Sequence, residues 1–175
     1  MKSSYRRSLR RGLFVLAVAV PALAGCSTGN LGGSSAFGSN ELQVAELSNI
    51  GSYTADTALA EARGHFRNNN FGYSAAFYKR VVELSPKEPE GYIGLSASYD
   101  RLGRFDLSDR VYASLYALAG GTAQYYNNVG YSQMLRGNLA GAVKNFRSAE
   151  SLDPGNAVVA NNLQLLSRAT AEAQA

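Results

Sequence analysis

The chain has one cysteine, one histidine and no tryptophan in 175 residues. The lone cysteine, Cys26, leaves no internal disulfide to form. The lone histidine, His65, excludes a histidine-based metal cluster, and its place in a helical pattern makes a half-exposed helix residue the expectation. A Ser–His–carboxylate arrangement stays open on composition, but no nucleophile-elbow motif supports it. The pairs Gly32-Gly33 and Gly120-Gly121 lack a following Lys-Ser/Thr, so neither is a phosphate-binding loop. Asp100, Asp106 and Asp109 are too loosely spaced for a calcium loop. With Arg101, Arg104 and Arg110 beside them, a solvated ion-pair surface is the expectation. The chain therefore reads as a non-enzyme with no cofactor, metal site or small-molecule substrate.

Acidic residues are also missing where the basic ones cluster. Lys2, Arg6, Arg7, Arg10 and Arg11 precede Cys26 with no Asp or Glu among them. Removing these five from the 17 Lys and Arg leaves 12 basic against 13 acidic residues, so the rest of the chain is close to neutral. The pI of about 9.3 belongs to the first segment. No basic stripe with interleaved aromatics follows, which argues against a nucleic-acid partner.

Residues 1–25 have the layout of a secretory signal: a basic start, an apolar run from Leu13 to Val20, and small residues before Cys26. The run is short for a membrane span. Leu23-Ala24-Gly25-Cys26 resembles a bacterial lipobox. That resemblance implies diacylation of the Cys26 thiol, cleavage before it and N-acylation; the alternative is a cleaved signal with an incidental cysteine. Several acyl chains would anchor durably, since each buried methylene contributes about 0.8 kcal/mol. In enterobacterial lipoproteins a residue other than Asp after the cysteine favours the outer membrane, and Ser27 stands there. Residues 26–40 are Gly/Ser-rich and uncharged, which predicts a flexible tether. Residues 41–54 read as a short helix or a linker.

From Ala55 onward, similar residues recur about every 34 positions. Phe146 maps to Tyr112 and Tyr78, Leu139 to Phe105 and Phe71, and Ala142 to Ser108 and Ser74. Gly130 maps to Ser96 and Ala62, Leu152 to Leu118 and Leu84, and Tyr126 to Tyr92. The small positions let paired helices approach closely, and the aromatics fill the space around them. Gly103 and Gly137 suit the left-handed turn of a tight helix–helix connection, and Asn69 stands at the equivalent place. The expected helices run from about Ala55 to Asn69, Phe71 to Leu84, Glu90 to Leu102, Arg104 to Ala119, Thr122 to Arg136, Leu139 to Leu152 and Ala157 to Ala169. This period and pattern resemble the tetratricopeptide repeat, although no repeat has Trp at its first aromatic position and the first has Ala58 there. The fold class implied is all-α: about three stacked helix pairs over residues 55–169, closed by a capping helix, with residues 170–175 as a frayed tail.

In that family the first helix of each pair lines a concave groove. The resemblance places Arg63, Phe66 and Arg67 there from the first repeat, and Ile93, Ala97, Asp100 and Arg101 from the second. Asn127, Asn128, Tyr131, Met134 and Leu135 follow from the third, then Asn161, Asn162 and Leu165 from the closing helix. Asn127-Asn128 recurs one period later as Asn161-Asn162. Asn offers both a donor and an acceptor, so these pairs suit the backbone of an extended peptide or, equally, a tie between adjacent helices. The Lys-rich pattern of the carboxylate clamp is absent.

The lipobox, the short tether, three repeats and the segment NNVGYSQMLRGNLAGAVKNFRSAESLDPGNAVVANNLQLL together resemble the TadD family, lipoproteins of tight-adherence (Flp) pilus assembly. The resemblance implies a periplasm-facing outer-membrane lipoprotein, anchored through lipidated Cys26. It would act as a pilotin or scaffold for a secretin or another pilus component. An envelope adaptor that scaffolds peptidoglycan-modifying enzymes is the alternative.

Overall fold

The computed structural model describes residues 43–172. The expected signal segment, Cys26 and the tether lie outside the described residues, as do the last three positions of the expected tail. Among the described residues a single 3₁₀ turn, Ile50–Ser52, precedes seven α-helices. These are α1 (Ala55–Arg67), α2 (Phe71–Leu84), α3 (Pro89–Arg101), α4 (Phe105–Ala119), α5 (Ala123–Leu135), α6 (Leu139–Leu152) and α7 (Ala157–Glu172). The all-α expectation holds, and each helix starts and stops within one turn of where the 34-residue pattern puts it. The difference is largest at α7, which runs on to Glu172, into the stretch expected to fray.

Local chemistry explains the boundaries. Thr54 and Thr57 form a reciprocal capping box at the start of α1, each side chain accepting from the other's backbone N–H. Pro89 sits in the first turn of α3, where its missing N–H costs nothing. Thr122 caps α5 by accepting from the Tyr125 N–H at 3.1 Å. Asn138 caps α6 by accepting from the Gly141 N–H at 3.0 Å. The three intra-pair turns use a left-handed residue, as the sequence predicts: Asn69 at φ 60, Gly103 at φ 69 and Gly137 at φ 78.

The helices pack as pairs α1/α2, α3/α4 and α5/α6, with α7 against α6 and α5. The small positions sit where the pairs meet. Ala62, Ser96 and Ala142 are fully buried. A Cβ built on Gly130 would come within 2.7 Å of the Phe146 ring, and one on Gly94 within 2.1 Å of the Tyr78 ring. Close approach of the helices therefore needs the absence of side chains here.

Two apolar clusters result. One joins α1 to α4 through Ala58, Ala75, Phe77, Val81, Leu95, Tyr99 and Leu102, with Leu107 and Val111 packed against it. The other joins α5, α6 and α7 through Ala142, Phe146 and Leu166. Helix α2 leans on α3 along much of its length, whereas α4 touches α5 sparingly. The second and third pairs thus meet mainly through other groups.

Residues 43–49 do not form the short helix offered for 41–54. They run irregularly, and the Ala45 N–H donates to the Gly72 carbonyl at 3.1 Å. Val44 and Leu47 pack onto the first cluster. A Cβ on Gly72 would stand 2.4 Å from the Gln43 carbonyl oxygen, so the absent side chain is what admits this strap. Its alternating apolar residues suit an extended segment as well as a helix, which is why the period alone did not decide.

Candidate functional site

A groove of about 400 Å³ opens along the first helices of the pairs. Helix α3 forms its centre with Ile93, Gly94, Ala97 and Arg101; Phe66 enters from α1, and Gln124, Asn128 and Tyr131 from α5. Tyr78 of α2 and Tyr112 of α4 reach through to form the floor. The walls are mainly apolar and aromatic, a surface that takes side chains of an extended partner. Tyr78, Tyr112 and Gln124 were not among the sequence candidates. The tyrosines lie on second helices, and only their length brings them to the groove.

The candidate residues divide by what they touch. Arg101 lies with its guanidinium 4.2 Å from the centre of the Phe71 ring. Arg63 is exposed and bonded to Glu90 of α3, which neutralises it and ties α1 to α3. Arg67 and Asn161 are exposed. Tyr131 lines the groove and also packs against the second cluster, while Met134 packs into that cluster between α5, α6 and α7. Met134 is thus a core residue in this fold, not a groove contact, because the α5 face it occupies is covered by α6 and α7.

The two readings of the asparagine pairs separate residue by residue. Asn127 is buried, and its Oδ1 accepts from Asn162 Nδ2 at 2.8 Å, joining α5 to α7. Those two tie helices together, whereas Asn128 lines the groove. Asn162→Ala is expected to cost about 0.5–1.5 kcal/mol, the net worth of one hydrogen bond. Asn128→Ala should stay within about 0.5 kcal/mol of the parent. Thermal melts of the two variants check this, and equal losses would contradict the division.

Asp100 departs most from its expectation. It belongs to the groove lining, as the resemblance implies, but at 1 % exposed it lies buried beneath the surface and not on the solvated ion-pair surface expected of it. Its Oδ1 accepts from Ser108 Oγ at 2.6 Å and from Ser132 Oγ at 2.7 Å, and its Oδ2 accepts from the Tyr112 hydroxyl at 2.8 Å. The Arg136 guanidinium lies 3.8 Å away, held by Ser132 and, through two bonds, by Asp109. One carboxylate therefore collects α3, α4 and α5 at the junction where α4 and α5 touch little. Burial pushes its pKa up, against the pull of the three hydroxyls and of Arg136. Tyr112 is held well above the usual tyrosine range, first by burial and then by the adjacent carboxylate. Only Arg104 and Asp106 form the exposed local pair expected of this stretch.

The surrounding pattern explains why Asp100 turns inward. One repeat earlier, Ser74 and Ser98 meet directly at 3.0 Å. Ser108 and Ser132 are their equivalents one period on, and both point at Asp100. The same hydroxyl pair closes on itself in one repeat and takes the Asp100 carboxylate in the next. His65 stacks against Tyr73 and Phe77 at 5.1 and 5.5 Å between ring centres and is half-buried, a packing role. Among the described residues no group of three or more His, Cys, Asp or Glu side chains is placed to hold a metal, and no helix is long and apolar enough to cross a membrane.

No family model matches the sequence, and no curated protein matches it. Solved structures do. The first repeat domain of human RPAP3 superposes with a TM-score of 0.59 at 20% identity, over 68% of this chain and 94% of that one. The first repeat domain of Spaghetti (RPAP3), bound to the HSP90 peptide SRMEEVD, gives 0.57 at 20% identity, over 67% and 94%. The translocator chaperone SycD of Yersinia enterocolitica type III secretion gives 0.57 at 15% identity, over 70% and 98%. At these identities the likeness is one of fold, and the fold of this chain is the tetratricopeptide-repeat stack of helix pairs.

Proposed function

We propose that the chain is a lipid-anchored, protein-binding lipoprotein of the bacterial outer membrane, facing the periplasm. In this reading it acts in a pilotin-like way to help a secretin of a Flp-type pilus system reach and assemble in the membrane. The observation that carries the binding role is the open, largely apolar groove walled by Ile93, Ala97, Arg101, Asn128 and Tyr131. The first repeat domain of Spaghetti (RPAP3), similar in fold, has been solved bound to an HSP90 peptide, which supports a peptide segment as the kind of ligand. The anchoring role rests on Leu23-Ala24-Gly25-Cys26, and the pilus assignment rests on the resemblance to the TadD family.

Cys26→Ser removes the thiol that would be acylated. The variant is expected to stay unprocessed, to take up no palmitate label and to leave the outer-membrane fraction. Secretin multimers in the same cells should fall with it. Efficient labelling of Cys26→Ser would overturn the lipoprotein assignment. Normal secretin assembly in cells lacking the protein altogether would overturn the pilotin assignment.

A further inference from the structure

We propose that the groove selects an extended partner segment in which an aliphatic side chain and an acidic one lie close together, the acid meeting Arg101. The inference rests on the groove reading above and names the chemistry that groove accepts. Asp100 and Arg101 are neighbours in sequence, yet they do not pair. The carboxylate of Asp100 is turned inward onto Ser108, Ser132 and Tyr112, with Arg136 as its cation. Arg101 stays on the groove wall, braced by the Phe71 ring, with no carboxylate of the described residues in ion-pair range. Asp100 is also part of the groove lining, but its carboxylate is committed to the three hydroxyls and Arg136, so Arg101 is left without an ion-pair partner beside the apolar surface of Ile93, Ala97 and Tyr131.

A half-buried guanidinium fixed in orientation binds a carboxylate more strongly than a freely solvated one, and repels a cation at the same place. The apolar surface supplies area, and Arg101 supplies direction. The chain's own leading segment is a poor occupant. No Asp or Glu occurs in residues 1–40, so that stretch offers Arg101 no side-chain counter-charge. A separate partner protein is the occupant that fits.

The test uses the full chain in lipid nanodiscs and short fluorescein-labelled peptides, acetylated and amidated at their ends. The peptides alternate Leu with Glu, Leu with Lys, or Ser with Glu. The Leu/Glu peptide should bind, with the Leu/Lys and Ser/Glu peptides about tenfold or more weaker. Its affinity should fall with added salt, and Arg101→Glu should reverse the order of the Leu/Glu and Leu/Lys peptides. Ala97→Trp, which fills the groove centre, should abolish binding of all three while circular dichroism reports the helical fold intact. If Leu/Glu and Leu/Lys bind equally and Ala97→Trp abolishes both, the charge selection is overturned and the groove reading stands. Binding unaffected by Ala97→Trp overturns the groove reading. Failure of every peptide to bind overturns the selection proposed. So does concentration-dependent self-association lost in Arg101→Glu, which would make a second copy the occupant.

Discussion

Replacing Asp100 with Ala is expected to lower the unfolding free energy by about 3–5 kcal/mol, since it removes three hydrogen bonds to one charged group, each worth about 1.5–3 kcal/mol, and replaces them only in part. The change takes their shared acceptor from Ser108 Oγ, Ser132 Oγ and the Tyr112 hydroxyl, leaving them the Phe105 carbonyl at 3.3 Å, the Arg136 guanidinium and the Asn128 carbonyl at 3.2 Å, and it leaves Arg136 with one carboxylate fewer. These groups span α3, α4 and α5, so the damage falls on the junction between the second and third pairs. Asp100→Asn keeps a carbonyl oxygen facing the two serines and should cost far less. It should also remove a pH dependence. The folded-state pKa of Asp100 is raised, chiefly by burial, so between the unfolded and folded pKa values the folded chain binds more protons than the unfolded one. The contribution of this group to stability therefore falls as pH rises through that window and is level above it. Melts from acidic to neutral pH on the parent and on Asp100→Asn check the sign. A group contribution that rises with pH across the same window would contradict it.

Gly94→Leu is expected to cost about 1–3 kcal/mol through overpacking. Leu is a good helix former, so a loss here reports crowding and not helix propensity. The crowding has a named source: the added Cβ alone would lie 2.1 Å from the Tyr78 ring, and Tyr78 is only 7 % exposed. The same substitution at Gly64, where a Cβ meets nothing within 4 Å, is the control. Chemical denaturation of both variants decides the matter, and equal effects at the two glycines would show that packing between the first and second pairs is not what Gly94 protects. Tyr78 also floors the groove, so Gly94→Leu should weaken partner binding beyond its effect on stability.

Most of the architecture was legible in the sequence because it rests on backbone chemistry that recurs. Asn69, Gly103 and Gly137 mark turns that need a left-handed residue, and each takes one. Ala62, Ser96 and Gly130 mark close helix contacts, and each is buried. The site was legible only in outline. A 34-residue register places a residue on a helix face, but the rotamer and the neighbour decide what it touches. Asn127 and Asn128 are adjacent in sequence, yet one is bonded to Asn162 and the other faces the groove. The local sequence groups Asp100 and Arg101 in one exposed charge cluster, while the fold buries the first and leaves the second on the wall. That separation depends on Ser108, Ser132 and Tyr112 converging from two other helices, which no local pattern encodes. Gly72 was likewise silent, because the irregular segment that needs it arrives from residues 43–45.

Site-specific photocrosslinking in intact cells tests the binding surface most directly. Benzoylphenylalanine placed at Gln124, exposed on the groove wall, should yield a discrete adduct with an envelope protein on irradiation. The same probe at Tyr116, half-exposed on α4 and outside the groove, should not. An adduct at Tyr116 with none at Gln124 would contradict the assignment of the groove as the partner site.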